Sequence, residues 1–199
     1  MAQLLVKVPK ERIGVLIGPD GKVKEVIQKK LSVDLEIDSE TGDITISSNK
    51  DVVDPSLLFR ARDAVTAIGR GFAPERAFKL LEDEENTLFV IDLREVFGKS
   101  ESDIKRVKGR IIGKEGKTRR MIEEMSEAMV SVYGHTIAII GGVENVEIAR
   151  EASSFLIKGS QHATVYRYLQ RKRQELKKKK LQLWEDRSPS PEKTGRTYL

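Results

Sequence analysis

An internal duplication constrains this chain more than any other feature. Residues 14–27 read GVLIGPDGKVKEVI and residues 109–122 read GRIIGKEGKTRRMI; at an offset of 95, six of the fourteen positions are identical. Leu16/Ile111, Asp20/Glu115, Lys24/Arg119 and Val26/Met121 are also close in type. Two such units fill the 199 residues, which makes a tandem duplication and not a longer solenoid.

Each copy follows one plan. In the first, QLLVKVP alternates as a strand up to Pro9, and a helical turn over 11–17 leads into GPDG. A helix follows over 21–30, with Val23, Val26 and Ile27 at helical spacing. VDLEID and DITIS alternate on either side of SETG, a hairpin pattern. Asp54 then caps a helix with Pro55 at its first position, and the helix ends at Gly69 or Gly71. APERAFKLLEDEEN adds a short helix and an acidic joint. The second copy predicts a strand over 87–96, a helical turn, GKEG, a helix over 116–125, strands over 128–133 and 136–140, and a helix over 143–157. It differs by an insertion, GKSESDIKRVK, between its first strand and its loop.

Composition narrows the chemistry. The chain has no cysteine, which excludes disulfides and thiolate zinc sites, and only two histidines, His135 and His162, which stand apart. No metal or cofactor is expected. No apolar run reaches membrane length, and no apolar segment follows Met1, so a cytoplasmic protein is expected. A net charge of +5 leans towards an anionic partner. Scarce amides, three Asn and six Gln, beside abundant Lys and Glu match the composition of thermophiles.

The charge is concentrated in the second copy. Residues 105–120 carry eight Lys or Arg and one Glu; the matching residues 10–25 carry four Lys or Arg and three acids. Glycine leaves backbone amides open to a phosphate, and a helix starting at such a loop turns its positive end towards it. Where the second loop has Lys114 and Glu115, the first has Pro19 and Asp20, and Asp38, Glu40 and Asp43 add acid at its hairpin turn. Each cation set on a phosphate adds affinity and salt sensitivity.

The order β-α-GxxG-α-β-β-α, twice, with an apolar pair before each loop, resembles the KH domain, a single-strand nucleic-acid module. The resemblance covers most of residues 2–158. It implies an α+β fold of two tandem type I KH domains, each a three-stranded antiparallel sheet with helices on one face. The expected divisions are 1–84 and 85–158 for the two domains, 159–184 for a basic C-terminal helix and 185–199 for a disordered tail. KH domains clamp about four nucleotides by their backbone. By resemblance, the RNA-binding residues of the second copy are Arg110, Ile111, Ile112, Gly113, Lys114, Glu115, Gly116, Lys117, Arg119 and Arg120. Those of the first are Gly18, Pro19, Asp20, Gly21 and Lys22. Ile111, Ile112, Val130 and Val132 form either the apolar groove for bases or the core beneath it.

Beyond the second copy, GSQHATVYRYLQRKRQELKKKKLQLW places Leu169, Leu176 and Leu183 seven apart, with Tyr166 on the same side. Seven cations between 171 and 180 face Glu175 alone. The stripe predicts a helix packed along the second domain, and the cations predict a phosphate-binding arm; the two are compatible. Two intact loops, LREVFGKSESDIKRVKGRIIGKEGKTRR and GSQHATVYRYL together resemble the archaeal two-KH-domain factors of small ribosomal subunit assembly, related to the eukaryotic "partner of Nob" protein. The match covers about residues 2–180. That resemblance implies binding near the 3′ end of small-subunit ribosomal RNA. It further implies two protein partners: the endonuclease that trims that end, and the alpha subunit of initiation factor two.

Catalysis has little support in the sequence. Asp103, Glu115, Glu123 and Glu124 lie near the basic loop, but Glu123 and Glu124 point apart on a helix and are expected to pair with Arg119 and Arg120. His135, in the tight turn YGHT, is a candidate to stack on a base or a turn residue without a role. The expectation is a non-enzymatic RNA-binding protein. The alternatives are a general messenger-RNA regulator or RNA-decay adaptor, and a protein-binding scaffold on KH folds.

Overall fold

The computed structural model describes residues 3–48 and 54–187. The first copy runs β1 (Gln3–Lys7), α1 (Lys10–Ile17), α2 (Lys22–Leu31), β2 (Val33–Ile37), β3 (Asp43–Ser48) and α3 (Pro55–Gly69), followed by two single turns, α4 (Pro74–Ala77) and α5 (Lys79–Glu82). The second runs β4 (Asn86–Asp92), α6 (Leu93–Phe97), α7 (Glu101–Ile112), α8 (Lys117–Ser126), β5 (Met129–Tyr133), β6 (Thr136–Gly142) and α9 (Val143–Ile157), and α10 (His162–Arg187) closes the chain. Each sheet is three-stranded and antiparallel, in the order β1-β3-β2 and β4-β6-β5. Two sheets, each with its own helices, match the architecture that the KH resemblance implies.

The sheets bury their faces differently. In the first, Val6, Ile44, Ile46, Val33 and Leu35 point into the core, while Gln3, Leu5, Lys7 and Glu36 are exposed. That is the alternation of a sheet with one wet face. In the second, Thr136 to Gly141 are all buried. Ile137 and Ile139 join the helices of their own domain. Ala138 and Ile140 join the core of the first domain with Phe72 and Ala77, and Leu88, Val90 and Met129 pack against it. The second sheet is therefore covered on both faces, which accounts for the unbroken apolar run in β6.

Polar contacts fix the same junction. Ser131 Oγ donates to the Arg70 carbonyl at 2.9 Å, and the Tyr133 hydroxyl donates to the Glu11 carboxylate. The Arg12 guanidinium lies 5.6 Å from the centre of the Tyr133 ring. Burial, then the Glu11 contact, raise the Tyr133 phenol above its usual pKa. Gly71, at φ +95°, is required here: a Cβ would come within 2.6 Å of Tyr133 Cβ.

Two expectations from the sequence need correction. The strand expected over 87–96 ends at Asp92, whose carboxylate accepts from the Arg94 amide at 2.8 Å and starts α6. Leu93 and Phe97, one helical turn apart, carry α6 onto the core, with Leu93 fully buried. The alternation over 87–91 ran into this helix without a sequence break. The tail expected from Glu185 is helical to Arg187, and residues 188–199 lie outside the described residues.

Candidate nucleic-acid interface

Both GxxG loops have one backbone shape. Gly18 and Gly113 sit at φ 72°, Asp20 and Glu115 at φ 52°, and Gly21 and Gly116 at φ 75° and 76°. The glycines of each pair do different jobs. A Cβ on Gly113 would come 2.2 Å from Thr118 Oγ1, and one on Gly18 would come 2.4 Å from Val23 Cγ2. The first glycine lets the loop fold back on the next helix. A Cβ on Gly21 or Gly116 would meet nothing within 4 Å. The second glycine is the one that leaves backbone open to a ligand. No side chain caps α8, so the positive end of that helix faces the loop uncovered.

The side chains separate the loops further. Lys114, Lys117 and Arg119 have no carboxylate partner among the described residues, and Arg120 donates to the Glu115 carbonyl at 3.0 Å, bracing the loop. In the first loop Asp20 lies 3.7 Å from Lys22, so that cation is partly neutralised. Both Pro19 and Asp20 are exposed.

The four apolar candidates divide in two. Ile111 and Val130 are wholly buried in the second core, so Ile111, counted among the RNA-binding residues by resemblance, supports the groove from below and cannot line it. Ile112 and Val132 stay partly exposed, on α7 and on the edge strand β5. Arg110 is also spoken for: its guanidinium donates to the Ser160 carbonyl at 2.5 Å.

That contact belongs to a clasp that the sequence did not reveal. His162, for which sequence reading found no neighbours, places Nε2 3.0 Å from the Arg110 carbonyl. Tyr166 hydroxyl lies 3.0 Å from Thr118 Oγ1. The GSQHATVYRYL segment therefore seats the start of α10 against the base of the second loop. The visible signal was only that this polar-aromatic segment follows one copy and not the other. Further along, Val165, Tyr168, Leu169 and Leu176 are buried against the second domain. Four of the seven cations between 171 and 180 are paired: Arg171 and Lys172 with Glu175, Lys179 with Glu144 and Lys180 with Glu127. The packing half of the α10 expectation is met at Leu169 and Leu176, the side chain of Leu183 lying outside the described residues, and the phosphate-arm half loses four of its seven free cations.

Of the carboxylates near the basic loop, Glu123 is occupied elsewhere. Glu123 accepts from the Val130 amide at 2.8 Å and from Arg76 of the first domain, not from Arg119 or Arg120 as expected. Glu124 is exposed on a separate face. Among the described residues no three His, Cys, Asp or Glu come together as metal ligands. No helix among them is long and apolar enough to cross a membrane.

A tandem of α+β domains, each with a glycine loop between two helices, the second loop basic and unpaired, defines a KH protein of nucleic-acid-binding type. Family models agree. Residues 87–174 match a model described as "Eukaryotic type KH-domain (KH-domain type I)", and residues 5–83 match the "Krr1 KH1 domain". The KH domain-containing protein MJ0443 of Methanocaldococcus jannaschii is 50% identical over 184 residues, 92% of this chain and 80% of that one. The solved a/eIF2alpha-aDim2p-rRNA complex from Pyrococcus horikoshii OT3 contains a chain that is 49% identical with a TM-score of 0.81, covering 87% of this chain and 95% of that one. The pre-rRNA-processing protein PNO1 of Debaryomyces hansenii is 30% identical over 81% of this chain, which spans 63% of that protein's length. The chain belongs to the archaeal two-KH-domain family of PNO1/Dim2-like factors.

Proposed function

We propose that this protein binds single-stranded RNA of the small ribosomal subunit, near its 3′ end, and acts in assembly of that subunit. One observation carries the reading: around Gly116, open backbone and unpaired cations coincide. Lys114, Lys117 and Arg119 reach phosphates, Gly116 keeps a side chain out of their approach, and Ile112 and Val132 border the bases. The relatives support the setting. One is named for pre-rRNA processing and another was solved with rRNA and the alpha subunit of initiation factor two.

In this reading the first domain, with its Asp20–Lys22 pair, contributes little to RNA and is free to dock protein. The alpha subunit of initiation factor two and the rRNA 3′-end endonuclease are the partners we assign. The protein works by binding and not by catalysis, in the cytoplasm. Replacing Lys114 and Glu115 by Asp tests it, with RNA recovery after crosslinking and titration of a 3′-terminal rRNA fragment. Affinity should fall at least tenfold, about 1.4 kcal/mol, with circular dichroism unchanged. Unchanged affinity would remove this loop as the clamp. Recovery of messenger RNA in place of rRNA would favour a general regulator, and recovery of protein alone a scaffold.

A further inference from the structure

The inserted segment of the second copy builds something the first copy lacks. In the first copy Pro9 leads directly from β1 into α1 at Lys10. At the offset of 95, Lys10 corresponds to Lys105, so α6 and the turn Glu101–Ile104 of α7 are additions. They face the β5–β6 turn. The Lys108 Nζ donates to the Gly134 carbonyl at 2.6 Å, and the Leu93 amide donates to the His135 carbonyl at 2.9 Å. His135 Nε2 lies 3.4 Å from Asp92 Oδ2. Helix, turn and α6 are thereby tied around an open depression of about 850 Å³.

Its lining is strongly basic. Arg94, Lys99, Lys105, Lys108 and His135 border it, with Glu101 as the opposing carboxylate and the largely buried Ile104 at its floor. Arg94, Lys99 and Lys105 are exposed and have no carboxylate partner among the described residues. Arg60, Lys79 and Arg150, by contrast, are paired. A volume of this size is within the range of sites that hold whole small ligands, roughly 300–1,000 Å³.

Position connects the depression to the loop. Lys105, Lys108 and the partly exposed Ile112 fall at i, i+3 and i+7 on one side of α7. Lys105 and Gly113 are eight residues apart, about 12 Å along a helix. A strand clamped at Gly116 and lying along that side runs into the depression.

We propose that this depression is an additional RNA subsite, which takes one or two nucleotides of the same strand beyond those the GxxG groove holds. Arg94 and Lys99 take phosphates, and His135 with Ile104 receives a base. The inference rests on the RNA-binding reading above. The insertion thus lengthens the footprint of the second domain, and it does so in the copy with the unpaired basic loop.

The test is a length ladder of four- to eight-nucleotide RNAs cut from the 3′ end of small-subunit rRNA, extended separately at each end. It compares the full chain with its Arg94→Ala/Lys99→Ala variant. Both variant positions are exposed, so the fold should hold. The wild type should gain affinity as one end is extended past four nucleotides. The variant should bind the four-nucleotide RNA within about twofold of wild type. It should lose most of the gain on extension, with a salt slope shallower by about 0.7 per missing contact on the longer RNA only. His135→Ala should reduce the same gain and leave the salt slope in place. Equal affinity of variant and wild type for every length, or an equal loss at every length, would overturn the subsite and leave the loop reading intact. Failure of the wild type to bind any rung would overturn both.

Discussion

Thr118 and Tyr166 meet through their hydroxyls at 3.0 Å, and this contact joins the first turn of α8, directly behind the second GxxG, to the start of α10. Thr118 is also the residue on which Gly113 folds back. The shape of the loop and the docking of the C-terminal helix therefore share one side chain. Tyr166→Phe and Thr118→Val should each lower stability by about 1 kcal/mol. The double variant should cost less than the sum, because one interaction is lost and not two. Strict additivity in denaturant titrations would show that the two hydroxyls do not interact.

The paired glycines predict unequal outcomes for one substitution. Gly113→Ala meets both an unfavourable φ of +72° with ψ of 176° and a contact at 2.2 Å, and should cost about 2 to 5 kcal/mol. Gly116→Ala meets only the left-handed conformation, about 1 to 2 kcal/mol, and should fold while weakening RNA through its exposed methyl. Equal stabilities would contradict the different packing of the two glycines.

Adjacent residues of β6 report on opposite cores. Ile139→Ala should raise amide exchange in α7 to α9, whereas Ile140→Ala should raise it in α3 and α5 of the first domain, each at a cost of about 2 to 5 kcal/mol. If Ile140→Ala leaves the first domain's exchange untouched, the two domains are not packed as one body.

Charge predicts that the two loops are unequal. Pro19→Asp, beside the existing Asp20, should weaken RNA much less than the paired change at Lys114 and Glu115. A first loop that proved the more sensitive would reverse the assignment of the main clamp.

The C-terminal helix should behave mainly as structure. Truncation after Gln170 removes the buried Leu176 and the Lys179–Glu144 and Lys180–Glu127 pairs, so thermal stability should drop. The salt slope of RNA binding should change by no more than about 0.7, one contact; a larger change would restore α10 as a phosphate arm. Alkaline pH offers a second handle. Burial, then the hydrogen bond to Glu151, raise the Tyr168 phenol well above its usual value. A raised folded-state value means that its contribution is complete below about pH 10 and is lost as pH rises towards the folded-state value. Stability should fall with pH in that window, and Tyr168→Phe should flatten the fall.

The repeated GxxG, the hairpin patterns and the Asp54–Pro55 helix start were legible because they are local. Turn chemistry, capping and periodicity are set by residues a few positions apart, and the duplication showed each signal twice. Charge asymmetry between the loops was legible for the same reason. The sequence also placed Ile111 and Ile112 side by side, but only the packing of α7 on β5 buried the first and left the second open. Whether Glu123 paired with its helix neighbours or with Arg76 depended on where the first domain sat. The sequence could not show that His162 and Tyr166 return to the base of a loop about fifty residues earlier, nor that Lys179 and Lys180 find carboxylates on other elements. Contacts of that kind depend on the angle at which helices and sheets dock. Docking angles are decided by the summed burial of Ala138, Ile140, Leu169 and Leu176, to which no short stretch of sequence gives access.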